Sequence, residues 1–217
     1  MERPIQIEPA TDMLLVLDLQ NDFMPGGALA VPGGDQVVGV INRLMVDRFA
    51  HGIATQDWHP RDHVSFASRH AGKRPFDVIR ASYGDQTLWP DHCIQGSWGA
   101  ELRGDLNMSR IEAVIRKGFR CETDSYSAFR ENDRCTVTGL DGYLRARGFR
   151  RIFVAGLARG YCTDYSAEDA AGAGYETFLI EDACRGITQE ATDAETSRLL
   201  ARGVRLVRFE KLAPAFI

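Results

Sequence analysis

Apolar positions along the chain fall into short continuous runs that alternate with stretches of helical spacing. Residues 13–17, 52–56, 111–115, 151–155, 177–180 and 204–207 read as six strands. Between them, residues 36–49 set Val37, Val38, Ile41, Leu44, Met45 and Phe49 at helical spacing. Residues 138–147, 161–173 and 189–201 also read as helices, stopped by Gly148, Gly174 and Gly203. Strands that are apolar throughout fit burial on both faces, as in a parallel sheet covered by helices. The expected fold is therefore α/β: a single-domain doubly wound, mainly parallel six-stranded sheet with helices on both faces, spanning residues 1–217. No internal repeat or domain boundary interrupts the pattern. Two long irregular stretches, 20–34 and 58–109, stand out, and loops of that length in a compact domain are more often functional than incidental.

In such a sheet, ligands sit beyond the carboxyl ends of the strands. Asp18, Asp57 and Lys117 fall at three of those ends, and Cys162 lies just past a fourth. One polar residue at a strand end is a turn residue; four of these chemical types together point to chemistry. Asp57, His59 and His63 form an Asp-x-His-x-x-x-His pattern, and His92 follows later beside Cys93. Imidazole and carboxylate donors suit zinc, iron or manganese. Asp57, His59 and His92 are the expected ligands, and His63 is either a fourth ligand or a partner of one. His51 and His70 read as solvated loop residues.

Cys162 follows a strand and a tight loop and sits where a helix begins. Free backbone N–H groups and the helix dipole lower a thiol pKa at such a position, and the same N–H groups can hold an oxyanion. The alternative is a small buried apolar side chain. Cys121, Cys135 and Cys184 lack such a setting and read as structural, while Cys93 is ambiguous because it adjoins His92. A thiol nucleophile needs a proton acceptor and an orienting group. With the histidines committed to metal, Asp18 is the available base and Lys117 the available cation.

Composition narrows the field. With 44% hydrophobic and 26% charged residues in 217, the chain is neither disordered nor fibrous. A net charge of −4 offers no basic surplus for nucleic acid or an anionic membrane, so neither is an expected partner. The N-terminus shows no basic start with a long apolar stretch, and the run 13–17 is too short to cross a bilayer. Five cysteines with no Cys-x-x-Cys pair suggest reduced thiols and a cytoplasmic location. No Gly-x-Gly-x-x-Gly follows the first strand, which argues against dinucleotide binding.

Several strings carry a resemblance. They are Leu17-Asp18-Leu19-Gln20-Asn21-Asp22-Phe23 with Gly26-Gly27, and Gln56-Asp57-Trp58-His59-Pro60 with Ser65-Phe66-Ala67-Ser68. Trp89-Pro90-Asp91-His92-Cys93 and Lys117-Gly118 with Asp124-Ser125-Tyr126-Ser127-Ala128-Phe129 complete the set. In this order, from about residue 13 to 207, the chain resembles the nicotinamidases (pyrazinamidases) of the isochorismatase-like cysteine hydrolase superfamily. The resemblance implies hydrolysis of nicotinamide to nicotinate and ammonia through a thioester, with pyrazinamide also accepted. It implies Cys162 as nucleophile, Asp18 as general base and Lys117 as the cation holding them. It implies one divalent metal ion, zinc first with iron or manganese compatible, on Asp57, His59 and His92, with His63 matching a ligand in some members. It further implies Phe23, Trp89 and Tyr126 as aromatic walls, a cis Leu157-Ala158 peptide, and backbone N–H groups of Ala158 and Cys162 as the oxyanion hole.

One departure stands out: Arg159-Gly160 occupies the place where family members commonly carry Thr-Asp. Such an aspartate would cap the helix that begins near Tyr161, so Gly160→Asp is expected to add stability. The departure leaves a weakly active or non-catalytic nicotinamide binder as an alternative. A metal-independent amidase of the same superfamily is another, although it would have no use for Asp57, His59 and His92. The oligomeric state is open, and a homo-oligomer is compatible with the sequence.

Overall fold

The structure, a computed structural model, describes residues 3–215. In chain order the elements are β1 (Ile5–Gln6), β2 (Asp12–Leu17), α1 (Gln36–Asp47), β3 (Gly52–Asp57), β4 (Val78–Ala81), β5 (Gly84–Thr87) and β6 (Ile111–Lys117). Then follow α2 (Leu140–Ala146), β7 (Arg151–Arg159), α3 (Cys162–Gly172), β8 (Glu176–Gly186), α4 (Gln189–Ala201), β9 (Arg205–Val207) and β10 (Leu212–Ala213). Six strands form one sheet in the order β6-β3-β2-β7-β8-β9, every pair parallel. This is the expected doubly wound sheet, with its four helices.

Alternation along β2 divides the core. Leu14 and Val16 face the layer of α1, packing with Val37, Ile41, Leu44 and Met45. Met13, Leu15 and Leu17 face the other layer, with Leu140 and Leu144 of α2, Ala167 and Ala170 of α3, and Leu199 of α4. Both faces of β2 are covered, so all six of its residues are buried. β6 lies at the sheet edge, and its burial alternates until Lys117, which is fully buried.

The structure adds to the sequence reading in three places. β7 and β8 run on past their apolar cores to Arg159 and Gly186, which carries the sheet into the loop region. β4 and β5 form an antiparallel hairpin inside the stretch read as irregular; of its strand residues only Gln86 is buried, so they lack a hydrophobic signature. A two-residue parallel pair, β1 with β10, escaped notice because it is so short. Among the described residues no helix is long and apolar enough to cross a membrane.

Candidate active site

The parallel order brings the carboxyl ends of β2, β3, β6 and β7 side by side. Asp18 directly follows β2, Asp57 ends β3, Lys117 ends β6, and Cys162 opens α3 just beyond β7. Registry sets Asp57 opposite Lys117. The Lys117 ammonium is fully buried and lies 2.5 Å from Asp57 Oδ1, 2.9 Å from Asp18 Oδ2, 3.1 Å from Ser125 O and 3.3 Å from Cys162 Sγ. Asp18 Oδ1 accepts from Thr55 Oγ1 at 2.5 Å, while Oδ2 faces Lys117 without an aligned hydrogen bond. That leaves a buried carboxylate oxygen ready to accept a proton.

The charges tune one another. Burial would lower the Lys117 pKa, but Asp18 and Asp57 outweigh it and hold the ammonium well above an ordinary lysine. Burial opposes ionisation of Asp57, yet Lys117 and His59 prevail and hold it below the usual carboxylate range. At Asp18 burial wins over Lys117, and the carboxyl is raised. Cys162 corrects the expectation of a depressed thiol. Burial pushes it well above an ordinary cysteine, with Lys117 opposing and the Asp18 and Asp57 charges adding to the rise. Burial outweighs the pull of Lys117 on the proton, so the resting group is a thiol with a proton to give.

The second cluster is built for a cation. One oxygen of Asp57 and one nitrogen each of His59 and His92 lie within 4.8 Å of one another, all buried. His59 Nδ1 is bonded to Gly118 O at 2.8 Å, and His92 Nδ1 to Pro90 O at 2.8 Å. Each Nε2 therefore faces Asp57 Oδ2, at 3.7 and 3.9 Å. Fixing one ring nitrogen on a carbonyl and aiming the other at a shared point is how histidine ligands are held. Burial, with His59 adding, pushes His92 down to about 4, so it offers a neutral lone pair at neutral pH. The Asp-His-His set thus fits a divalent metal. Gly118 permits the approach: its φ is +64°, and a Cβ there would meet His59 Cε1 at 2.4 Å.

His63 stacks beside His59 with ring centroids 4.2 Å apart. Its Nδ1 is bonded to Ser65 Oγ at 2.7 Å and its Nε2 to Thr123 O at 3.2 Å, and it groups with His59 and Asp124 and not with His92. Cys93 is fully buried with its N–H bonded to Asp22 Oδ2, which is a packing role. His51 is paired with Glu112, and His70 Nε2 is bonded to Val64 O.

A cavity touches both clusters. Phe23, Trp89 and Tyr126 line it, as do Asp57, His59, His92, Ala158 and Cys162. Tyr161 and Asp124 also line it, and sequence reasoning assigned neither. Trp89 and Tyr161 meet edge to face, with centroids 4.9 Å apart. Gln86 donates to Asp124 Oδ2 at 2.8 Å and fixes that carboxylate from the β4–β5 hairpin. Gln20 was also missed: buried, it accepts from Asp57 N–H and donates to Asp57 O, both at 2.8 Å.

The Leu157-Ala158 peptide is cis, as expected. Ala158 falls where the β7–β8 ladder shifts register. Gly160 is not a helix cap. Its φ is +86°, and its N–H donates to Asp164 Oδ2 at 2.7 Å. An L-residue in that conformation costs roughly 1–2 kcal/mol. Gly160→Asp is therefore expected to lower the melting temperature in a thermal scan, the opposite of the capping expectation; an unchanged or higher value would contradict the left-handed assignment.

The sequence matches the isochorismatase domain over residues 12–211. The chain belongs to the isochorismatase-domain family. Among relatives of this isochorismatase-domain chain is a nicotinamidase of Acinetobacter baylyi, 47% identical over 195 residues that cover 89% of this chain and 91% of the relative. Among solved structures, a nicotinamidase/pyrazinamidase of Acinetobacter baumanii superposes with a TM-score of 0.90 at 45% identity, covering 92% of this chain and 97% of that one. A pyrazinamidase of Pyrococcus horikoshii in complex with zinc superposes with a TM-score of 0.73 at 33% identity, covering 91% and 99%.

Proposed function

We propose that this chain is a metal-dependent cysteine amidohydrolase that converts nicotinamide to nicotinate and ammonia, and accepts pyrazinamide as well. That it is a nicotinamidase hydrolase rests on relatives of that activity matched along almost the whole chain. The observation that carries the mechanism is one cavity lined by Cys162, by Asp57, His59 and His92, and by aromatic side chains, with Lys117 and Asp18 buried directly behind the thiol. That spacing suits a flat ring bearing a carboxamide.

The steps follow from the residues. Cys162 Sγ gives its proton to Asp18 Oδ2 and attacks the amide carbon. The raised Asp18 is the right acceptor for a raised thiol, because their affinities for the proton are brought together. Lys117 stabilises the thiolate as it forms. The tetrahedral oxyanion accepts from the N–H groups of Ala158 and Cys162. Asp18 returns the proton to the departing nitrogen, and ammonia leaves a thioester on Cys162. Water then gives a proton to Asp18, attacks the thioester carbon and releases nicotinate, and Asp18 reprotonates the thiolate. A divalent ion, zinc first in view of the zinc-bound relative, would supply a Lewis-acid anchor for the pyridine nitrogen when held by Asp57, His59 and His92. His63 supports that set through its stack on His59.

Ammonia release from nicotinamide by the purified protein tests the activity; no release above the uncatalysed rate would defeat it. Asp57→Ala and His92→Ala are each expected to lose bound metal and to raise KM at least about tenfold, the effect of losing an anchoring contact worth ~1.4 kcal/mol. Elemental analysis reads the metal, and a variant that keeps one ion per chain would remove that residue from the ligand set.

A further inference from the structure

The loop between β7 and α3 carries Arg159-Gly160, and both residues are bonded to one carboxylate of the following helix. We propose that Asp164 is a positioning residue that holds this loop, so that the N–H groups of Ala158 and Cys162 face the reacting carbonyl. The proposal rests on the reading of Cys162 as the nucleophile.

Asp164 is fully buried in the first turn of α3. One oxygen accepts from Gly160 N–H at 2.7 Å. The other accepts from Arg159 Nε at 2.7 Å and from Thr163 Oγ1 at 3.2 Å. One carboxylate thus grips two consecutive residues on the far side of Tyr161 and Cys162, and fixes the loop at two points. A carboxylate in a first helical turn is also favoured by the dipole and can bond the free N–H groups there. Arg159 is itself 5% exposed, so the pair is shielded from water and hydrogen-bonded at close range. The departing arginine is therefore not a loss of structure at the loop: its partner lies one helical turn away.

The link reaches further. Arg159 Nη2 donates to Thr196 Oγ1 of α4 at 2.9 Å. Beside it, a Cβ on Gly186 would meet Thr192 Oγ1 at 2.4 Å and Arg159 Cβ at 3.1 Å, so α4 presses closely on this point. No residue of α4 lines the cavity among the described residues, yet α4 is bonded to the loop that carries the oxyanion donors.

A buried ion pair can serve stability alone, and KM against kcat separates the two roles. Oxyanion donors act on the transition state, so a displaced loop lowers kcat and spares KM. The test measures kcat, KM and melting temperature for Asp164→Asn, Arg159→Gln, the double variant and Thr196→Val, with nicotinamide as substrate. Asp164→Asn leaves a buried guanidinium without its counter-charge; kcat is expected to fall at least about tenfold with KM within about twofold, a fraction of the ~100-fold or greater loss of a whole oxyanion donor. The double variant is expected to recover at least about threefold over Asp164→Asn, because neither charge is then stranded. Thr196→Val is expected to lower kcat about twofold to threefold, the effect of one lost hydrogen bond acting through Arg159. A kcat within about twofold of the parent in both Asp164→Asn and Arg159→Gln overturns the proposal, whatever the melting temperatures, since it lies below ~0.5 kcal/mol of transition-state stabilisation. A double variant no better than the poorer single variant overturns it too. If Asp164→Asn does not fold, unchanged kcat in Arg159→Gln and Thr196→Val overturns it. Cys162→Ala runs alongside: activity in that variant defeats the nucleophile reading, whereas an inactive Cys162→Ala with unaltered Asp164→Asn and Arg159→Gln defeats this proposal alone.

Discussion

Cys162→Ala is expected to fold as the parent does and to release no ammonia from nicotinamide above background. The thiol is small and lies at the cavity wall, and its hydrogen-bond donor Lys117 keeps Asp57, Asp18 and Ser125 O as partners. Little stability is therefore lost. Activity has no other route: Cys93 and Cys184 are buried away from the cavity lining, and Cys121 and Cys135 lie outside it. Loss of a nucleophile that acts as a unit with its base typically costs about 10⁴-fold or more in kcat. Circular dichroism and a thermal scan check the fold, and coupled ammonia detection the rate. A rate within about tenfold of the parent, ~1.4 kcal/mol, contradicts the nucleophile assignment.

Lys117→Met is expected to be the most damaging substitution for the fold. It removes the cation that buried Asp18 and Asp57 share, stranding Asp18 and leaving Asp57 only His59 as an opposing charge. Breaking a buried pair by removing one partner costs about 3–5 kcal/mol. The pH dependence has a definite sign. In the parent, Lys117 is raised, so its contribution is fully present below the ordinary lysine pKa of about 10.4 and is lost only as pH rises through the higher folded value. In the variant, burial without the opposing Lys117 leaves Asp18 raised. Groups whose folded pKa is raised bind protons more readily folded than unfolded, so the variant loses stability as pH climbs from about 4. The gap between parent and variant is therefore narrow in acid and widens toward neutral pH. Urea unfolding of both metal-free proteins across that range measures it; a gap that does not change with pH contradicts the charge account.

Much of this site was legible because chemistry-bearing residues end apolar runs. Asp18, Asp57 and Lys117 each follow a strand visible from hydrophobicity alone, and a parallel sheet puts such ends together. His59 and His92 were legible from residue type near one carboxylate. Gln20 and Gln86 were not, because each acts through bonds to residues that no periodicity brings near; Asp164 is close in sequence to Gly160 and Arg159, but its bonds depend on how the intervening loop turns. Gln20 holds Asp57 from 37 positions away, and Gln86 holds Asp124 from 38. The thiol's pKa was misjudged for a related reason. A helix N-terminus can be read locally, whereas the burial and the two carboxylates that outweigh it come from other strands. Gly160 reads as a missing cap until its backbone sign is known; the left-handed φ makes glycine the fitting residue there.

The thioester is the centre of the account, and trapping it is the most direct test. Metal-loaded protein is mixed with nicotinamide and quenched in acid within the first turnovers, and its peptides are then mapped by mass. A nicotinoyl adduct is expected on the peptide carrying Cys162, absent from Cys162→Ala and lost on longer incubation without substrate. Steady ammonia release with no adduct on Cys162 at any quench time, together with an active Cys162→Ala, would contradict it.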